Sequence, residues 1–234
     1  MTPSLLILIP LFVIMAINAP MKHVGRRIAF YFALALFAAQ MVLAVFHHNF
    51  FATGVECVDR FFRVDLTIDN LGVVALVCMG IVSMASLFVS RYMPMSEDER
   101  FKFKNLLLIM SIGMCGIVMT RDIFSLYVFL EIAAITSFIL IAFRRDISGL
   151  EGAFKYLILS AIATVLMLLS IATILLVAKD TSFISIAEAL GAPGRNPIIT
   201  VAIAIFLSAL FIKGGIFPFH GWLPDTYSSS PAPV

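Results

Sequence analysis

Three ionisable side chains stand in stretches otherwise apolar enough to cross a bilayer: Glu131, Lys155 and Lys213. A charge at membrane depth costs roughly 3 kcal/mol on insertion scales, so residues of this kind mark ion or proton pathways by default. Glu131 lies in Phe129-Leu130-Glu131-Ile132-Ala133, nine residues after Asp122 and twelve before Phe143, near the centre of its span. Lys155 follows Glu151 by four residues, close enough to an interface to reach it along its aliphatic stem. Lys213 sits in Phe211-Ile212-Lys213-Gly214-Gly215-Ile216-Phe217-Pro218, where two glycines and a proline interrupt a helix in mid-span. Such a break strands carbonyls that cannot face lipid, so it must be buried in protein or line a hydrated cavity. If the helix resumes after Pro218 and runs toward Tyr227, Lys213 falls near its middle.

Burial disfavours a charged amine and a neighbouring carboxylate favours it, so a Glu/Lys pair whose separation changes takes up and releases a proton. The same two residues could instead form a static pair that fixes helix packing. His220 comes seven residues after Lys213. Imidazole suits a proton relay from the break toward water, and it could equally cap the break. Trp222, the one tryptophan, is expected at a membrane interface, and Asp225 reads as a turn or helix-start residue.

The elements that must position these groups are helices. Of 234 residues, 62% are hydrophobic and 13% charged, where soluble domains average about half and a quarter. Mean hydropathy is +1.07. The expected fold class is an all-α polytopic transmembrane helix bundle of about seven spans with a broken seventh helix. The spans fall at 4–18, 28–46, 71–92, 106–119, 123–143, 154–178 and from 197 onward. Residues 1–68 form an N-terminal membrane hairpin and extracytoplasmic loop, and 69–234 the remaining helices. A polar connection covers 49–69. Residues 181–192 read as a short amphipathic helix, lying on the membrane surface or tucked against other subunits. Nine Lys and Arg residues in the odd-numbered connections against five in the even ones place the N-terminus outside.

Several functions are excluded. A net charge of +2 without a basic stripe argues against nucleic acid. Cys57, Cys78 and Cys115 are too scattered for a disulfide framework or a metal knuckle and read as small core residues. His23, His47, His48 and His220 fall at or beyond span ends, whereas a membrane haem needs histidines on facing helices. No cofactor or metal is expected in this chain.

The string from Ile212-Lys213-Gly-Gly-Ile-Phe-Pro-Phe-His220-Gly-Trp-Leu-Pro-Asp to Val234 resembles the signature of the antiporter-like membrane subunits of respiratory complex I, membrane-bound hydrogenases and Mrp-type cation/proton antiporters. Leu126-Tyr-Val-Phe-Leu-Glu131 looks like the family's fifth-helix glutamate, and Glu151-Gly-Ala-Phe-Lys155-Tyr like its sixth-helix lysine. The resemblance runs from about residue 69 to the end. It implies an ion-translocating subunit, proton or sodium, of a redox-driven complex, with Glu131 and Lys213 as the coupled pair, Lys155 a modulator and His220 on the onward path. It also implies residence in the cell (inner) membrane beside other membrane subunits and soluble redox subunits that carry iron–sulfur clusters or flavin. The alternatives are a subunit of a stand-alone Mrp-type Na+/H+ antiporter and a structural scaffold without transport. The family places a proline two residues after the seventh-helix lysine; here that position is Gly215, so the break is expected to rely on Gly214, Gly215 and Pro218. The family fold also contains two inverted repeats, of which this sequence holds part of the first. A second chain supplying the missing half, or a sequence cut from a longer one, is therefore expected.

Overall fold

The computed structural model of the chain describes residues 3–18, 22–51, 59–61, 64–191 and 197–234. Its helices are α1 (Leu5–Asn18), α2 (Lys22–Phe51), α3 (Asn70–Ser90), α4 (Glu97–Met119), α5 (Ile123–Ile141), α6 (Ile147–Ala178), α7 (Phe183–Gly191), α8 (Pro197–Lys213) and α9 (Leu223–Ser229). The chain is an all-α integral membrane bundle. By length and apolar composition α3, α4, α6 and the segment Ile123–Arg144 can each cross a bilayer, while α1, the stretch Phe30–Phe46 and α8 are shorter apolar helices.

Three helices start earlier than hydropathy suggests, because a charged residue ends an apolar window without ending a helix. α2 already contains Arg26 and Arg27. α4 begins nine residues ahead of its apolar run. Ser96 and Glu99 form a capping box there, with the Ser96 N–H donating to Glu99 Oε2 at 2.8 Å and the Glu99 N–H to Ser96 Oγ at 3.3 Å. Glu97, Asp98 and Glu99 also suit the positive end of the helix dipole. α6 starts at Ile147, where Asp146 Oδ1 accepts from the Gly149 N–H at 2.9 Å. Asp69 and Asp122 cap α3 and α5 in the same way, at 2.6 and 2.7 Å.

The connection expected to be simply polar contains an antiparallel pair, β1 (Asp59–Phe61) and β2 (Val64–Leu66). β2 is tied onward to two other connections. The Thr67 N–H donates to Met119 O at 2.8 Å and the Arg121 N–H to Asp65 O at 3.1 Å; the Ile123 N–H donates to Thr181 O at 3.0 Å and the Phe183 N–H to Arg121 O at 3.2 Å. Backbone hydrogen bonds thus tie the entries to α3, α5 and α7 at one end of the bundle. Asp180 lies beside them, held below the usual carboxylate range by hydrogen bonds from the Ser185 hydroxyl and the Thr181 N–H.

Side-chain periodicity sets the packing. α6 and α8 meet through Ala163, Met167, Ile171 and Ile174 against Ile199, Ala202, Phe206 and Ala209, which recur every three or four residues on one face of each helix. Inside that seam Ser170 Oγ donates to Ala202 O at 2.6 Å. α4 and α5 approach more closely: a Cβ at Gly113 would lie 2.9 Å from the Ala133 backbone nitrogen and 3.2 Å from Phe129 O. Close backbone approach through small residues is the usual device for packing helices in lipid. Here it fixes the turn of α5 that carries Glu131. Of the cysteines, Cys115 is buried as expected, whereas Cys78 is exposed on α3, since an apolar residue in a membrane helix has no need to face the protein interior. Cys57 lies outside the described residues.

Gly113→Ala is expected to destabilise the bundle by about 1–3 kcal/mol, because the added methyl meets backbone that cannot rotate away. The check is a thermal melt of the detergent-solubilised protein, with Gly191→Ala, whose added methyl meets nothing within 4 Å, as the silent control.

Candidate functional site

Glu131 is the ninth residue of α5, about 12 Å from Ile123 and about 15 Å from Ile141 at 1.5 Å per residue, so it lies near the middle of the helix. Lys213 is the last residue of α8. The two meet: Lys213 Nζ is 2.5 Å from Glu131 Oε1, with the lysine side chain 6% and the glutamate side chain 23% exposed. α6 completes the cluster with two hydroxyls at mid-helix. Ser160 Oγ lies 3.2 Å from Lys213 Nζ, and Thr164 Oγ1 donates to Glu131 Oε1 at 2.6 Å and is itself 2.9 Å from Ser160 O. A buried ion pair is tolerable when further hydrogen bonds satisfy the atoms the partners leave open, and Ser160 and Thr164 supply them. Both escaped the reading of charges in spans; the signal available was two hydroxyls four residues apart in the centre of an apolar run.

The break sits directly behind Lys213. The Gly214 N–H still donates to Leu210 O at 2.8 Å, so the helical ladder reaches one residue past the lysine. Gly215 then takes φ +60, the left-handed region that favours glycine. Its N–H donates to Ile212 O at 3.2 Å and the Ile216 N–H to Phe211 O at 2.9 Å. Those two bonds and the left-handed glycine make a Schellman ending. Gly215 therefore terminates the helix at the position where the resemblance led one to look for proline, and Pro218 follows in a cis Phe217-Pro218 peptide. Of the carbonyls expected to be stranded, those of Leu210, Phe211 and Ile212 are answered within the protein.

Trp222 is part of that answer and corrects the expectation of an interfacial anchor. It is buried, its indole N–H donates to Ile212 O at 3.1 Å, and its ring stacks on Tyr156 at 4.6 Å between centroids. A carbonyl freed by the break gives the indole a partner indoors, and a buried indole needs one. Beyond it α9 packs on α6. Thr226 is buried, with its hydroxyl donating to Trp222 O at 2.8 Å, and a Cβ at Gly152 would lie 2.3 Å from Ser229 Oγ.

Lys155 is not drawn into the Glu131–Lys213 cluster. It lies five residues before Ser160, about 7.5 Å along the α6 axis, and its Nζ sits 2.7 Å from Asp225 Oδ2 and 2.8 Å from Glu151 Oε1. Asp225 does lie in the first turn of α9, as a helix-start residue should, and in addition it carries the ion pair that joins α9 to α6. His220 is exposed in the turn between α8 and α9, its ring 5.7 Å from that of Phe217.

Cavities approach the cluster from two directions. One of about 710 Å³ opens beside the tied connections and is lined by Arg121, Asp122, Asp180 and, on the turn before Glu131, Val128 and Phe129. Another of about 620 Å³ reaches Lys213, Ser137, Tyr156 and Trp222 from the side of α3 and α9. Among the described residues no group of three or more His, Cys, Asp or Glu could hold a metal ion.

Residues 120–234, which include Glu131, the break and α9, match the family described as NADH:quinone oxidoreductase/Mrp antiporter, TM. NADH-quinone oxidoreductase subunit N of Desulforudis audaxviator is 32% identical over 99% of this chain. The chain belongs to this antiporter-like family. It spans less than half the length of the relatives it matches, 48% of the Desulforudis protein. The fold recurs in a chain of the membrane-bound sulfane sulfur reductase, an archaeal respiratory membrane complex, with TM-score 0.87 at 24% identity over 99% of this chain and 48% of that one. It recurs also in the Mrp complex from Dietzia sp., with TM-score 0.81 at 23% identity over 97% and 44%. The antiporter-like fold thus covers this chain from its first helix, further upstream than the motif resemblance reached.

The pair is open to a double-mutant test. Lys213→Ala alone is expected to cost about 3–5 kcal/mol, because it leaves the Glu131 carboxylate without its buried partner. Lys213→Ala combined with Glu131→Gln should recover a large part of that loss. Melting temperatures of the two single variants and the double variant give the coupling; additive losses would show that the contact does not hold the helices.

Proposed function

We propose that this chain is an ion-translocating, antiporter-like membrane subunit of a redox-driven respiratory complex, in which Glu131 and Lys213 form the proton-handling pair. The observation that carries the reading is the placement of Lys213: a nearly inaccessible lysine side chain, paired with Glu131, on the last residue of α8, directly before the break. A helix end is the part of a helix that shifts with least disruption. Moving it by a few ångström would separate the ammonium from the carboxylate, favouring the neutral amine and release of a proton. Return of the lysine to Glu131 favours uptake. Ser160 and Thr164 keep both partners hydrogen-bonded when they are together. One cavity reaches Lys213 itself, and the other comes within a helical turn of Glu131, at Val128 and Phe129.

Lys155 acts in this scheme as a modulator. Held by Asp225 at the start of α9, it senses any movement of the segment beyond the break. His220, exposed on that segment, is the onward contact with water. The named relative belongs to an NADH-quinone oxidoreductase, which favours a redox complex over a stand-alone antiporter. In such a complex the iron–sulfur or flavin chemistry belongs to soluble partner subunits, and another polypeptide segment supplies the second repeat. The chain lies in the inner membrane with its N-terminus outside, as the excess of basic residues in the odd-numbered connections supports.

The test is proton uptake by vesicles containing the reconstituted complex, followed with a pH-sensitive dye. Lys213→Ala and Glu131→Gln are each expected to lower uptake by about a hundredfold, the lower range for a positioned proton-transfer group, with subunit composition unchanged on gels. Unaltered uptake in both variants would leave the scaffold reading standing. Absence of iron–sulfur or flavin absorbance from the purified complex would favour the stand-alone antiporter.

A further inference from the structure

A third cavity, away from Glu131 and Lys213, is a groove of about 920 Å³ between α4, the end of α5 and the start of α6. Its rim is basic. Arg144 and Arg145 lie in the tight turn between α5 and α6, where Ala142–Arg144 forms a 3-10 turn and Arg145 takes φ 56. Lys102 faces them from α4. All three side chains are exposed, and among the described residues none forms an ion pair within 4.0 Å. Among the described residues Glu99 is the one carboxylate lining the groove, and its Oε2 accepts from the Ser96 N–H and hydroxyl, both at 2.8 Å. Three cations against one carboxylate leave the rim with a net positive charge.

The wall below the rim is apolar. Leu150, Phe154 and Leu157 follow one another at helical spacing on one face of α6 and are 49%, 60% and 40% exposed. At 1.5 Å per residue they cover about 10 Å, much of the depth of one leaflet. A basic rim at the level of the loops above an apolar wall running inward matches an amphiphile with an anionic head. Basic pockets between membrane helices are known to take acidic lipid headgroups.

The geometry points to a binding site for an anionic phospholipid in this groove, its phosphate on Lys102, Arg144 and Arg145 and one acyl chain along Leu150, Phe154 and Leu157. The site is independent of the ion-transfer cluster and of whether the chain transports anything.

The experiment is native mass spectrometry of the protein extracted with its natural partners, stripped of lipid and titrated with phosphatidylglycerol or with phosphatidylcholine. Alongside it, benzoylphenylalanine placed at position 157 is photolysed in the membrane. Each basic residue near an anionic lipid surface is good for about a fivefold change, so Arg144→Gln with Arg145→Gln is expected to weaken phosphatidylglycerol retention by on the order of twentyfold. Arg144→Lys with Arg145→Lys should retain it, and phosphatidylcholine should bind no better to wild type than to the glutamine variant. Equal retention of the two lipids by the wild type, or by wild type and glutamine variant alike, overturns the site. So does a photoadduct at position 157 to a polypeptide instead of a lipid, which would make the groove a subunit interface. If the glutamine variant does not fold, the lipid preference of the wild type and the identity of the photoadduct decide between these outcomes.

Discussion

A lysine side chain that is 6% exposed inside an apolar bundle has to have its charge answered by its neighbours, and much of the structure around Lys213 follows from that requirement. A lone buried cation would cost far more than the marginal stability of a domain permits. α5 therefore brings a carboxylate, and α6 brings two hydroxyls. Bringing α5 to the right depth and rotation depends in turn on α4, whose Gly113 lets the two backbones close in at the Phe129–Ala133 turn. The register of α6 against α8 rests on small residues and a serine bonded across the seam. One electrostatic requirement thus propagates into the packing of four helices.

The second constraint is the backbone itself. Ending a helix within apolar surroundings exposes carbonyls, and here three at the end of α8 have donors: Gly214 for Leu210, Ile216 for Phe211, and both Gly215 and the Trp222 indole for Ile212. The break is therefore a hydrogen-bonded motif that stops a helix and satisfies the Leu210, Phe211 and Ile212 carbonyls locally. α9 is held in place by a different chemistry, the Lys155–Asp225 ion pair and the close fit at Gly152. The segment between the two anchors, residues 214–219, has apolar side chains largely exposed, with Phe217 at 78%.

How far the sequence foretold this depends on which residues are considered. Glu131 and Lys213 stand out because a charge in an apolar run is rare, and their types alone suggest that they pair. The glycines and proline announce the break equally well, because their backbone restrictions are local. Ser160 and Thr164 did not stand out, since hydroxyls are common in membrane helices and only the rotation of α6 against α5 shows which ones matter. Trp222 was misplaced for a related reason: its ring suits an interface by type, but the carbonyl that it satisfies exists only because another element is broken. Lys155 could be picked out as unusual, yet its partner Asp225 lies 70 residues away and no spacing rule connects them. The starts of α4 and α6 were legible in their caps, Ser96 with Glu99 and Asp146, and hidden by a hydropathy window that stops at charges.

Trp222 is the sole tryptophan of the chain, and from beyond the break it touches two helices at once: the end of α8 through its indole N–H and α6 through Tyr156. Its fluorescence spectrum is consequently a built-in, single-site optical readout of the joint behind Lys213. Any rearrangement that parts the indole from Ile212 or unstacks it from Tyr156 changes the polarity and quenching around one chromophore, without a label and in any lipid environment where the chain is studied free of other tryptophan-bearing subunits.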